Sequence, residues 1–180
     1  MTALSVNINK VALIRNSRKG ENPNLIEYAS ACINAGADGI TVHPRPDQRH
    51  VKPSDLPGLK DLINKHTNIE FNIEGNPFEE AKDDYLGLLE LVKRSRPHQC
   101  TLVPDSTDQL TSDHGFDLNK NQEKVYKVVR ELRAHGVRSS LFLDPDLAQI
   151  RLASEIGVDR VELYTGCLLY TSPSPRDFTE

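Results

Sequence analysis

The sequence lacks what would take it to a membrane or to nucleic acid. No apolar run approaches the ~20 residues that span a bilayer, and the start, Met1-Thr2-Ala3-Leu4, has neither the cationic nor the apolar region of a signal peptide. Basic residues are not in excess: the formal charge is -4, so neither nucleic acid nor an anionic membrane surface is expected as a partner. Cysteine is scarce. Cys32, Cys100 and Cys167 are odd in number and have no metal-ligand spacing, and the first two fall in helix and strand patterns, as small core residues of a reducing compartment do. A cytoplasmic protein is the expectation. The 180 residues suffice for one packed core but fall short of the ~250 typical of a closed eight-stranded barrel.

What is present is alternation. Leu4 to Asn9 reads as a strand with Ser5, Asn7 and Asn9 on one face, followed by a cationic loop from Lys10 to Gly20. Pro23 then opens a helix through Ala35, and Gly39 to Val42 is a short buried strand. A helix over 53–65 precedes a third strand, Asn68 to Ile73, in which Glu70 shares the polar face with Asn68 and Asn72. The longest helix is expected over 78–95. Strand Gln99 to Val103, a polar loop from Asp105 to Asp117, helix 120–135, strand 138–144, helix 145–156 and strand 159–164 complete the series. Strand and helix alternating in this way call for parallel strands with helical crossovers. The phrases Ala35-Gly36-Ala37-Asp38-Gly39-Ile40 and Ile156-Gly157-Val158-Asp159-Arg160-Val161 look like one connection used twice, as repeated barrel units give. In such barrels chemistry gathers where strands end, and Asn7, His43, Glu70, Asp144 and Glu162 are read as lying in the late part of a strand or just past it.

The chemically richest stretch is Gly39 to His50. A buried strand ends in His43 and runs into a proline-stiffened loop that holds Arg45, Arg49 and His50. An imidazole beside two guanidiniums suits an anionic substrate that needs proton transfer. A solvated surface loop could carry the same residues, so this stretch alone does not decide. A lysine Schiff base is the competing chemistry, and Lys10 comes nearest to a strand.

The phrases Val6-Asn7-Ile8-Asn9-Lys10-Val11-Ala12, Arg15-Asn16-Ser17-Arg18, Ala35 to His43, Arg49-His50, Asn68-Ile69-Glu70, Leu102-Val103-Pro104, Ser140 to Asp144 and Glu162 to Gly166 together resemble the pyridoxine 5'-phosphate synthase family, from Leu4 to about Gly166. The resemblance implies a (β/α)8 barrel, here with about six strands and five helices. It implies condensation of 1-deoxy-D-xylulose 5-phosphate with 3-amino-2-oxopropyl phosphate to pyridoxine 5'-phosphate, phosphate and water, with no metal or organic cofactor. His43 and Glu70 are implied as proton acceptors and Glu162 as a carboxylate that stabilises a cationic centre. Asn7 and Arg18 are implied around the amino-ketone phosphate, and Arg45, His50 and Thr111 around the pentulose phosphate. The family's usual Asp-His pair in the first strand is replaced by Asn9-Lys10, which keep hydrogen bonding and a cation for positioning but not ready proton transfer near neutrality. The family assembles as rings of barrels. After Gly166 the resemblance ends: Cys167 to Asp177 reads like a translated sequencing adapter. Residues 1–166 are thus expected as an incomplete barrel domain and 167–180 as a foreign tail. Six strands leave two unpaired edges, and turnover by the chain alone is not expected. Another phosphate-handling isomerase or aldolase barrel, or a non-catalytic phosphate-binding chain, are the alternatives.

Overall fold

The computed structural model describes residues 2–18, 20–106, 109 and 112–166. Six strands form one sheet in sequence order, every neighbouring pair parallel: β1 (Ser5–Asn7), β2 (Gly39–Val42), β3 (Glu70–Gly75), β4 (Gln99–Leu102), β5 (Arg138–Leu143) and β6 (Arg160–Leu163). Six α-helices connect them: α1 (Asn9–Asn16), α2 (Leu25–Asn34), α3 (Leu56–Ile63), α4 (Leu88–Ser95), α5 (Leu118–Ala134) and α6 (Leu147–Glu155). A 3-10 turn over Pro53–Asp55 leads into α3. The result is an open, curled sheet that resembles an incomplete eight-stranded barrel. The curl is visible in contacts that skip strands: Arg160 of β6 reaches Glu70 of β3 (3.4 Å), and Asn7 of β1 reaches Glu74 of β3 (3.3 Å).

The alternation of strand residues sets the two faces. Ile40, Val42, Phe71, Ile73, Cys100, Leu102, Leu141 and Leu143 are buried with Ala29, Ile33, Leu59, Ile63, Leu91, Val92, Val129, Leu132 and Ala153 of the helices in one apolar core. The concave face is polar. Ser5 and Thr41 share a hydrogen bond (2.9 Å), Asn72 donates to Thr41 (3.3 Å), and Thr101 donates to Asn72 (3.1 Å), so the buried Thr41, Asn72 and Thr101 are satisfied in a chain that reaches across four strands.

The repeated phrase is one device used twice. Gly36 and Gly157 end α2 and α6 with φ of 101° and 75°, the left-handed conformation that glycine takes without strain. The aspartate two residues later then ties the new strand to its neighbour. Asp38 accepts from the Leu4 N–H (2.7 Å) and Asp159 from the Ser139 N–H (2.8 Å).

Three sequence expectations are corrected. Residues 9–16, read as loop from Lys10 onward, form α1, because Arg15 turns inward and is held by Asp55 through two bonds of 2.7 and 2.9 Å. The helix expected over 78–95 begins only at Leu88, since Asp83 and Gly87 adopt φ of 51° and 88°; α5 is therefore the longest helix. Among the described residues there are six α-helices rather than five. Thr111 and the tail 167–180 lie outside the described residues.

Candidate functional site

The carboxyl ends of the strands open on a cavity of about 680 Å³, lined by residues of the β1–α1 junction, the loops after β2 and β4, and the ends of β3, β5 and β6. Asn7, Asn9, Lys10, His43, Arg45, Arg49, His50 and Glu162 all line it, so eight residues singled out in the sequence converge here. Arg18 is exposed beyond the end of α1 and takes no part in the lining.

Glu70 does not reach the cavity. It is the first residue of β3, not a late one, and its carboxylate pairs with Arg138 (2.5 Å) and Arg160 (3.4 Å) at the amino end of the sheet. The hydrogen bond from Arg138 holds its pKa below the ordinary carboxylate value. Glu74 occupies the corresponding place at the other end. Four residues along one strand keep the same face and advance roughly 13 Å, so Glu74 meets Asn7 and Glu162. The triplet Asn-Ile-Glu occurs twice, at 68–70 and 72–74, and the second copy is the one whose carboxyl lies in the cavity.

His43 directly follows β2. Its backbone N–H donates to the Asn9 Oδ1 (2.8 Å), which fixes the strand end and accounts for the asparagine in that position. The imidazole is buried and lies 5.7 Å from that of His50, inclined at 63°. Burial first, then His50, Arg45 and Arg49, hold the His43 pKa well below the ordinary value. Burial, with Arg45 next, lowers His50 to about 4. Both rings are therefore neutral at pH 7. The carboxyls respond to burial in the opposite sense. Glu74 is pushed up to about 8 by burial and then by Glu162 and Asp105, and burial raises Glu162 as well. Near neutrality the cavity thus holds a protonated carboxyl opposite neutral imidazoles.

Two guanidiniums close one wall. Arg45, only 4% exposed, donates to the carbonyls of Ser106 (2.8 Å) and Gln109 (3.1 Å) and pairs with Asp105 (3.4 Å). Arg49 donates to the Gln109 carbonyl and pairs with Asp47 (2.9 Å). Asn16, at the end of α1, donates to the carbonyls of residues 48, 49 and 50 at 3.3, 3.0 and 2.7 Å, so the Arg15-Asn16 phrase braces the loop rather than touching the cavity. Leu13, Asp105, Ser112 and Phe142 complete the lining, with Ser112 donating to Asp105 (2.7 Å). None of them was singled out from the sequence as a site residue. Among the described residues no three His, Cys, Asp or Glu side chains converge as a metal site requires, and no helix is long and apolar enough to cross a membrane.

The family model described as "Pyridoxal phosphate biosynthesis protein PdxJ" matches residues 4–176. Pyridoxine 5'-phosphate synthase of Xanthomonas axonopodis pv. citri (strain 306) is 52% identical over 165 residues, covering 92% of this chain and 64% of that protein. The synthase of Xylella fastidiosa (strain M12) is likewise 52% identical, over 92% of this chain and 63% of that one. The chain therefore spans just under two thirds of the length of these relatives. Among solved structures, D-psicose 3-epimerase in the presence of D-fructose superposes with a TM-score of 0.56 at 11% identity, covering 96% of this chain and 67% of that one. Protein SMc04130 of Sinorhizobium meliloti 1021 superposes with a TM-score of 0.54 at 16% identity, over 94% and 67%. At such identities the likeness concerns the fold alone.

Proposed function

The chain belongs to the PdxJ family of pyridoxal phosphate biosynthesis proteins, and from that membership we propose that the protein condenses 1-deoxy-D-xylulose 5-phosphate with 3-amino-2-oxopropyl phosphate to give pyridoxine 5'-phosphate, phosphate and water. The observation that supports this reading is the meeting in one cavity of two neutral imidazoles, His43 buried and His50 half-buried, a protonated carboxyl and two guanidiniums. Schiff-base formation, enolisation, phosphate elimination and ring closure each move a proton. His43, neutral, accepts; Glu74, protonated near neutrality, donates and later accepts in turn. Glu162, beside Glu74, stabilises a cationic intermediate. Arg45 and Arg49 bind the pentulose phosphate through planar, paired donors, with His50; Thr111, outside the described residues, is assigned to the same phosphate by the family resemblance alone. Asn7 contacts the amino-ketone phosphate, with Arg18 approaching from beyond α1. Glu70, implied by the resemblance as a proton acceptor, is in this reading a structural ion-pair residue. Assembly into rings of barrels in the cytoplasm belongs to the same proposal and rests on the family resemblance.

The test is a chimera in which residues 4–163 replace the matching segment of the Xanthomonas synthase, completing the barrel. It is assayed for pyridoxine 5'-phosphate from the two substrates. Turnover is expected, falling roughly 10²–10⁴-fold in His43→Asn and Glu74→Gln and little in Glu70→Gln. A folded chimera without turnover, or one that loses activity with Glu70 but not with Glu74, overturns the reading.

A further inference from the structure

Arg45 and Arg49 present like charges to one wall of the cavity, and a single carboxylate stands between them. Oδ2 of Asp47 lies 2.9 Å from Nε of Arg49 and 3.7 Å from Nε of Arg45. The other oxygen, Oδ1, accepts from the backbone N–H of Arg49 (3.2 Å), an Asx turn that fixes the carboxylate in place. The segment has little freedom to relax otherwise. Pro44 and Pro46 fix their own φ, Gln48 sits at φ 50°, and Asn16 holds the carbonyls of residues 48 to 50. Without a shared anion the two cations repel. Asp47 lies on the Nε side of both guanidiniums as an ion pair, while Nη2 of each meets the Gln109 carbonyl oxygen.

A guanidinium binds a phosphate well only when a flat edge of two donors faces it. We propose that Asp47 is a positioning residue that aligns Arg45 and Arg49 as a paired clamp for the phosphate monoester of the substrate. This rests on the reading of the cavity as a site for phosphorylated substrates. Asp47 lies behind the guanidiniums and does not touch the ligand.

Simple electrostatics and positioning make opposite demands. Asp47 carries a charge that repels phosphate, so if charge alone mattered, Asp47→Asn would tighten binding. If the carboxylate orients the clamp, the same substitution weakens it. The 180-residue chain is titrated calorimetrically with inorganic phosphate at pH 7. Asp47→Asn is expected to bind about tenfold more weakly. Asp61→Asn, a charge-matched change on the exposed side of α3, is expected to leave affinity unchanged. Arg49→Lys keeps the charge but loses the planar edge, and is expected to weaken binding to a similar degree even if Asp47→Asn does not fold. Unchanged or tighter binding in Asp47→Asn, or unchanged binding in Arg49→Lys, overturns the clamp while the phosphate site stands. Failure of the unsubstituted chain to bind phosphate at all overturns both.

Discussion

Glu74 is the group whose protonation separates this description most sharply from the alternatives, and its replacement by glutamine turns that into a stability measurement. In the unfolded chain the carboxyl ionises at its ordinary 4.5, whereas in the fold it keeps its proton to about 8. Between those values the folded state binds more protons than the unfolded one, so stability falls as pH rises. Each pH decade contributes about 1.4 kcal/mol, a ceiling of roughly 5 kcal/mol. Glu74 is only half-buried, and screening by water in the open cavity brings the expected loss to roughly 2–3 kcal/mol. Glutamine is nearly isosteric, retains an oxygen for the Asn7 amide and cannot ionise. Glu74→Gln should therefore match the unsubstituted chain at pH 4.5 and exceed its stability by roughly 2–3 kcal/mol at pH 8 to 9. Urea denaturation followed by circular dichroism at four or five pH values reads the difference directly, and effects common to both chains cancel. Two curves that run parallel from pH 4.5 to 9 would refute the reasoning, since they would mean that Glu74 ionises alike in both states.

Two further outcomes are expected. His50, whose pKa is lowered to about 4 chiefly by burial and Arg45, should show no imidazole titration between pH 5.5 and 8 by NMR; a midpoint near 6.5 would contradict its placement. Replacing Arg45 with Met strands the buried Asp105 carboxylate, and denaturation should record a loss of roughly 3 kcal/mol. Adding Asp105→Asn should recover most of that loss, and no recovery would count against the pairing.

The architecture was largely legible because each connection in it is local. Six strands could be read from alternation and apolar runs, and the Gly36 and Gly157 phrases announced a repeated unit, which in the fold is Asp38 and Asp159 tying neighbouring strands. What could not be read depended on long-range partners. The cationic run after β1 looked like loop because nothing local says that Arg15 meets Asp55, forty residues on, and so turns inward. The segment 78–87 carries helical spacing, yet Asp83 and Gly87 take positive φ. The site was legible where chemistry and chain position coincide, as at His43, Arg45 and His50. Glu70 and Glu74 illustrate the limit. Both carry the same triplet and the same strand parity, so periodicity places both on the concave face without saying which end each occupies. The register of β3 against β2, Gly39 beside Glu70 and Val42 beside Ile73, settles it.

The most direct test of the site is to add 1-deoxy-D-xylulose 5-phosphate to isotopically labelled protein and record which backbone amides shift. The expected result is saturable change at His43, Arg45, Arg49, His50 and Glu74, with Glu70, Arg138 and Arg160 unmoved. Shifts centred on Glu70 and its two arginines, or none at the His43 end of the sheet, would contradict the assignment of the carboxyl-end cavity as the place where substrate binds.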